Sequence, residues 1–186
     1  MTANEDLFIP KINMGPNGDL IILPSATSSN KDFDFYQGKW YLINKKLKTK
    51  LNKCLEWTEF RSTQEMYTIL NGTGNIDNYL TNFDGEPYEG LTVRLFNPET
   101  RLWSMYWADS NHGKFDPPVV GSFENKVGHF FAKDVFEGKK ILVVFRWDAR
   151  DRDHPVWSQA FSENDGNTWE WNWYMYFSKF EKKALL

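Results

Sequence analysis

"GLTVRLFNPETRLWSMYWAD", residues 90–109, sets two alternating, aromatic-rich runs on either side of Asn97-Pro98-Glu99-Thr100. Proline at the second position of a polar tetrapeptide suits a type I turn, so the stretch reads as two antiparallel strands. The same grammar recurs. "VVGSFENKVGHFFAKD" turns at Glu124-Asn125-Lys126, "DVFEGKKILVVFRWD" at Glu137-Gly138-Lys139, and "VWSQAFSENDGNTWEWNWYMYFSKF" at Asn164-Asp165-Gly166-Asn167. Upstream, "FDFYQGKWYLIN", "CLEWTEFRST" and "EMYTILNG" continue the pattern to about residue 32. Short strands closely punctuated by turns predict an antiparallel sandwich or barrel.

Composition agrees. Nine Trp, eight Tyr and fifteen Phe make 17% of the 186 residues aromatic, and such side chains favour a pleated, half-buried surface. The length allows one good core. A net charge of −3, from 22 basic and 25 acidic residues, gives no electrostatic reason to expect nucleic acid or an anionic membrane as partner. No apolar run approaches the ~20 residues that span a bilayer. The opening "MTANEDLFIPKINMGP" has no basic region followed by an apolar one, so no signal peptide is expected. The single cysteine, Cys54, excludes an internal disulfide; a buried small hydrophobe in a cytoplasmic protein is the expectation.

Residues 1–31, broken by Pro10, Gly15-Pro16, Gly18 and Pro24, read as an arm whose "DLIILP" packs on the body. In "KKLKTKLNKCLEW", Leu47, Leu51, Cys54 and Leu55 share a helical face, which predicts at most one short helix near 46–56. Its five lysines mark either a wet face or a basic flap over a barrel mouth.

"SENDGNTW", residues 162–169, resembles the S-x-D-x-G-x-T-W box of sialidases, with Asn164 where that motif has aspartate. One box on so short a chain is a structural hairpin. Pairing Ser162 with Trp169 sets Phe161 opposite Glu170, Gln159 opposite Asn172 and Trp157 opposite Tyr174. One face then carries these six residues and suits a ligand cavity. The other carries Trp169, Trp171 and Trp173. A one-residue slip inverts that assignment. Trp171 and Trp173, pointing outward, need cover from the arm or from a homodimer contact.

Gly38-Lys39-Trp40 on the first long strand resembles the lipocalin signature, in which the tryptophan closes one end of an eight-stranded barrel. With "DFDFYQGKW", "RLFNPETRLWSMYWADS", "FDPPVVGSF" and "ILVVFRW", residues 32–180 are similar to an uncharacterised bacterial family of lipocalin-like (calycin) barrels. The resemblance implies an all-β fold: a single antiparallel β-barrel over 32–186, with an interior cavity and residues 1–31 as an extended arm. It carries over no catalytic residue.

Arg94 and Arg146 interrupt apolar strands, where a guanidinium is costly to bury unpaired. Each is read either as outward-facing or as an inward anchor for a carboxylate or enolate. "NGTGNIDN" supplies Asn75, Asp77 and Asn78, read as a turn. Asp109, His112 and Asp116 lie on a loop that could border a mouth, and "DARDRDHP" is read as a solvated loop. His112, His129 and His154 lack ligand spacing, so neither a metal nor a cofactor is expected. Phosphate-loop, dinucleotide and serine-hydrolase signatures are absent.

The first reading is a binding protein for a small, partly aromatic or acidic molecule. Trp107, Trp147, Trp157 and Phe161 bury its apolar body, while Arg94, Arg146, Gln159 and Asn172 orient it. The second is an isomerase, cyclase or decarboxylase using Glu170 as acid or base beside an arginine. The third is a barrel filled by its own side chains, which binds nothing and dimerises through an aromatic wall. A cavity of roughly 300 Å³ or more separates the first two from the third.

Overall fold

The computed structural model describes residues 8–83 and 85–180. Two two-residue strands, β1 (Asn13–Met14) and β2 (Leu20–Ile21), make a small hairpin in the arm. Ten strands follow: β3 (Gly38–Leu47), β4 (Trp57–Ile69), β5 (Gly74–Phe83), β6 (Glu86–Asn97), β7 (Leu102–Asp109), β8 (Val119–Glu124), β9 (Val127–Phe136), β10 (Lys139–Asp148), β11 (Val156–Ser162) and β12 (Glu170–Lys179). Each pairs antiparallel with the next, and β12 pairs back onto β3, which closes an up-and-down barrel. The all-β expectation holds. The barrel has ten strands rather than the eight of the lipocalin signature, and among the described residues no helix is long and apolar enough to cross a membrane.

Eight strands enclose a bore that side chains just fill. Ten make it wider, and the chain fills only part of it. At the foot, a 3-10 turn, Asp34–Tyr36, carries Phe35 and Tyr36 across the barrel end, with Phe33 before it. Phe33 stands edge-on to Trp103 and Phe123, both at 5.0 Å, and Tyr36 lies 4.9 Å from Trp147. Gly38, with φ +98°, then turns the chain into β3, a conformation that glycine adopts without steric cost. Trp40, fully buried, donates from Nε1 to the Tyr36 carbonyl at 2.7 Å. It ties plug to wall.

Among the described residues no α-helix forms over 46–56, within the expectation of at most one. β3 runs to Leu47, and Leu51 and Lys53 have positive φ, 59° and 62°. The loop is held from outside: Leu51 packs with Ile141, Val143 and Phe161, and its N–H donates to Glu170 Oε1 at 2.8 Å. Leu55, counted on the helical face, is fully out in solvent. Cys54 is not core; it sits half-exposed in this loop, its Sγ accepting from the Glu56 N–H at 3.4 Å.

The arm packs along the outer wall. Ile9, Ile12, Leu20 and Ile22 cover Val144 and Ala160 beside Trp169 and Trp171. Arg101 Nη2 reaches the carbonyls of Ser25, Ala26 and Ser28, and Ser25 N–H donates to Ser122 Oγ at 2.9 Å.

Candidate functional site

The β11–β12 hairpin decides which side chains see the interior. Its turn is built as the box resemblance implies. Ser162 Oγ accepts from the N–H of Gly166 at 2.9 Å, and Asn164 Oδ1 accepts from the Thr168 N–H at 2.9 Å, filling the motif's aspartate role. Below the turn Phe161 pairs with Glu170 and Ala160 with Trp171, but Gln159 then pairs with Trp173. Asn172 is the extra residue of a β-bulge, which shifts every later position by one. The expected pairs Gln159–Asn172 and Trp157–Tyr174 are therefore replaced by Gln159–Trp173 and Trp157–Met175. Trp171 stays outside, under the arm, whereas Trp173 turns inward, perpendicular to Trp157 at 5.5 Å.

Inside lies a cavity of about 240 Å³. Its walls include Trp107, Phe145, Trp157, Phe161 and Trp173, and its floor includes Arg94, Gln64 and Trp147. Of the expected ligand residues, Arg94, Trp107, Trp147, Trp157, Gln159 and Phe161 all border it. Arg146 and Asn172 do not. Arg146 alternates with Phe145 and Trp147, so it faces the outer wall, where its Nη2 donates to Asp148 at 3.0 Å. Asn172, fully buried, accepts from Gln159 Nε2 at 2.7 Å and so positions that amide. Glu170, the candidate acid–base, holds the Leu51 loop and is not brought to the cavity beside an arginine.

The floor is a polar cluster in a nearly dry setting. Arg94 and Asp77, 3% and 1% exposed, form an ion pair through Nη1. Arg94 Nη1 also donates to Asn75 Oδ1 at 3.0 Å, and Gln64 Nε2 donates to Asp77 Oδ1 at 2.8 Å. The guanidinium lies 5.1 Å from the Phe33 ring and 5.3 Å from that of Tyr36, within cation–π range. Burial, and then the Asp77 charge, push the Tyr36 phenol well above its ordinary pKa and keep it protonated. Five buried polar atoms around this cluster have no hydrogen-bond partner in the protein: Tyr36 OH, Gln64 Oε1, Asp77 Oδ2, Arg94 Nε and Trp147 Nε1, of which Asp77 Oδ2 is the one that meets Arg94 in the ion pair.

The sequence reading missed Gln64, Asn75 and Asp77. Asn75 and Asp77 were assigned to a turn, yet both lie on β5 facing in, alternating with buried Tyr79. That period-two run, Asn75-x-Asp77-x-Tyr79, was the available signal. A second buried polar knot sits higher: Asn44 Oδ1 accepts from Tyr79 OH and from Trp173 Nε1, both at 3.2 Å.

The cavity reaches the surface beside Asp116, Pro117, Lys133 and Asp134, all exposed. The wall is least zipped on this side, since β7 pairs with β8 only from Trp103 to Met105 although it runs on to Asp109. The loop 110–118 crosses that seam, with Asp116 N–H donating to the Trp107 carbonyl at 2.8 Å. Burial, then Asp134 and Asp109, raise the Asp116 pKa. The basic segment is turned onto the barrel: Lys46 Nζ lies 4.1 Å above Trp173, and burial together with Lys50 lowers its pKa to about 8. Among the described residues no group of three His, Cys, Asp or Glu side chains is placed to hold a metal ion.

No family model and no curated protein matches the chain. Among solved structures, the crystal structure of Rv2717c from M. tuberculosis is similar, with a TM-score of 0.52 at 11% identity. The match covers 81% of this chain and 96% of that one. The likeness is one of fold.

Proposed function

We propose that the chain is a small-molecule binding protein of the lipocalin-like (calycin) type, with its ligand held inside the barrel. One observation carries this reading. An aromatic-walled cavity stands directly on buried polar groups whose donors and acceptors the protein leaves unpartnered. Buried polar atoms are normally satisfied, so a floor with open valences beside free volume is built to be completed by something else. The volume, about 240 Å³, is below the ~300 Å³ of drug-sized sites and above the ~150 Å³ that accommodates benzene. A ligand with one or two rings fits. The volume is below the roughly 300 Å³ that separates a ligand site from a filled barrel, so the binding reading is supported by the unpartnered polar atoms rather than by size, while the acid–base alternative loses the convergence of Glu170 with an arginine.

The test is a fragment titration followed by two-dimensional amide and indole NMR. Saturable shifts concentrated on the indole N–H signals of Trp107, Trp157 and Trp173, with the outer Trp169 and Trp171 unmoved, are the expected result. Saturable shifts confined to the arm or to the outer wall would overturn the reading, as would a screen of aromatic fragments in which nothing saturates.

A further inference from the structure

The floor also specifies the ligand's polar end. Asp77 can only accept hydrogen bonds, so the Gln64 amide must turn its NH₂ toward it, as the 2.8 Å contact shows. That orientation is forced, and it leaves Gln64 Oε1 as an acceptor without a donor. Arg94 Nε and Trp147 Nε1 are, conversely, donors without acceptors. All three residues border the same cavity and are at least nine-tenths buried. Their charges are already balanced, because the Arg94 guanidinium is matched by Asp77 within the floor.

Resting on the binding role argued above, we propose that the cavity takes a flat apolar body ending in an uncharged head that both donates and accepts hydrogen bonds, of which a primary carboxamide is the simplest case. A carboxylate could accept from Arg94 Nε and Trp147 Nε1, but its oxygens would face the lone pairs of Gln64 Oε1. It would also add an unbalanced charge to a desolvated floor, which is costly. An amidinium satisfies Gln64 and meets two N–H donors with N–H. The amide alone fits both: its oxygen takes the donors and its NH₂ meets Oε1. This revises the expectation that Arg94 would anchor an acid, since Asp77 occupies that role.

Benzamide, benzoate and benzamidine share one shape and carry charges of zero, minus one and plus one; toluene lacks the head. Calorimetric titration of the full chain at pH 7 should give benzamide at least about tenfold tighter binding than benzoate, benzamidine or toluene, a gap of ~1.4 kcal/mol. Benzoate or benzamidine binding as tightly as benzamide overturns the head assignment and leaves the binding role standing. So does toluene binding as tightly. If none of the four binds, the binding role fails with it. Gln64→Met removes the acceptor at similar volume and should erase most of benzamide's advantage over toluene, read as the ratio of the two affinities within the variant. An advantage that survives in folded Gln64→Met overturns the proposal. Should that variant not fold, Trp147→Phe removes one donor with the ring kept, and the wild-type ranking decides regardless.

Discussion

Severing the Arg94–Asp77 pair should be the most damaging polar change available in this barrel. In Arg94→Met the methionine keeps most of the stem's volume against Phe33 and Tyr36, so the loss is electrostatic rather than a cavity. Asp77, 1% exposed, would retain one donor, Gln64 Nε2, for a carboxylate taken out of water. Breaking a buried pair in this way costs ~3–5 kcal/mol, a third or more of the 5–15 kcal/mol that holds a typical domain together. Asp77→Asn leaves the guanidinium uncompensated and should cost a similar amount. The double variant removes both charges, so it should lose far less than the two singles added together. Urea unfolding followed by tryptophan fluorescence gives all three values. The coupling should reach ~3 kcal/mol, the upper end for contacting residues. Losses that add to within ~0.5 kcal/mol, or an Arg94→Met cost below ~1 kcal/mol, would place the pair in water, where such bridges are worth little. A solvated floor would also remove the basis for the ligand's uncharged head.

Trp40→Ala should destabilise by ~3–5 kcal/mol, because Trp40 is fully buried and holds the plug carbonyl; calorimetry should show the melting point down by ~6–20 °C, and no shift would detach Trp40 from the barrel's foot. Gly90→Ala sets a methyl 2.0 Å from Trp107 Cη2, so the indole must swing; a Trp107 indole N–H signal that does not move would refute that contact. Trp171→Ser should expose residues 9–24 to protease and spare cavity binding, whereas Trp173→Ser should do the opposite; the reverse pattern would mean that the bulge is misplaced. His129 reaches the Phe8 carbonyl from beneath the arm, and burial, opposed by that bond and then aided by Arg146, lowers its pKa to about 4. The unfolded imidazole, at about 6.5, then binds a proton more readily than the folded one, so stability is full above pH ~6.5 and falls as pH drops toward 4. Amide exchange in the arm should quicken across that window, by an amount well under the ~3 kcal/mol the full shift would imply, and a flat profile would refute it.

The fold was legible because its signal is local and repeated. Each turn, from Asn97–Thr100 to Asn164–Asn167, announces itself through residues that need particular backbone angles or cap their own loop, and ten such strands leave little choice beyond sandwich or barrel. The inner face of β12 was not legible, for one reason. A bulge is a single unpaired residue, here Asn172, with no compositional mark, yet it reverses the face of every residue after it. Trp173 was misassigned by that one step, while Gln159 and Phe161, on the regular partner strand, were placed correctly. The lysine-rich segment, for which at most one short helix is expected, takes the loop form for a different reason. Four residues at helical spacing do not reveal the glycine-like φ that Leu51 and Lys53 adopt, because the force that sets those angles is tertiary: Glu170, more than a hundred residues away, captures the Leu51 amide.

The floor escaped notice because its members come from separate strands and look ordinary one at a time. Gln64 is on β4, Arg94 on β6 and Trp147 on β10, so the three open valences sit on parts of the wall that no single ladder joins. That placement has an energetic consequence. A buried polar atom left without any partner carries a penalty of about 1–3 kcal/mol. A ligand whose head partners all three relieves it and bridges those strands across the bore. Its stabilisation follows mass action, ~2.7 kcal/mol at a hundred times Kd. The added protection against amide exchange should therefore appear together on β4, β6 and β10, the strands that hold the head. A ligand held only by the aromatic wall would protect β7, β11 and β12 instead, through Trp107, Trp157 and Trp173. The two patterns separate recognition of a polar head from simple filling of an oily space, and the first is what the Gln64–Asp77–Arg94 geometry requires.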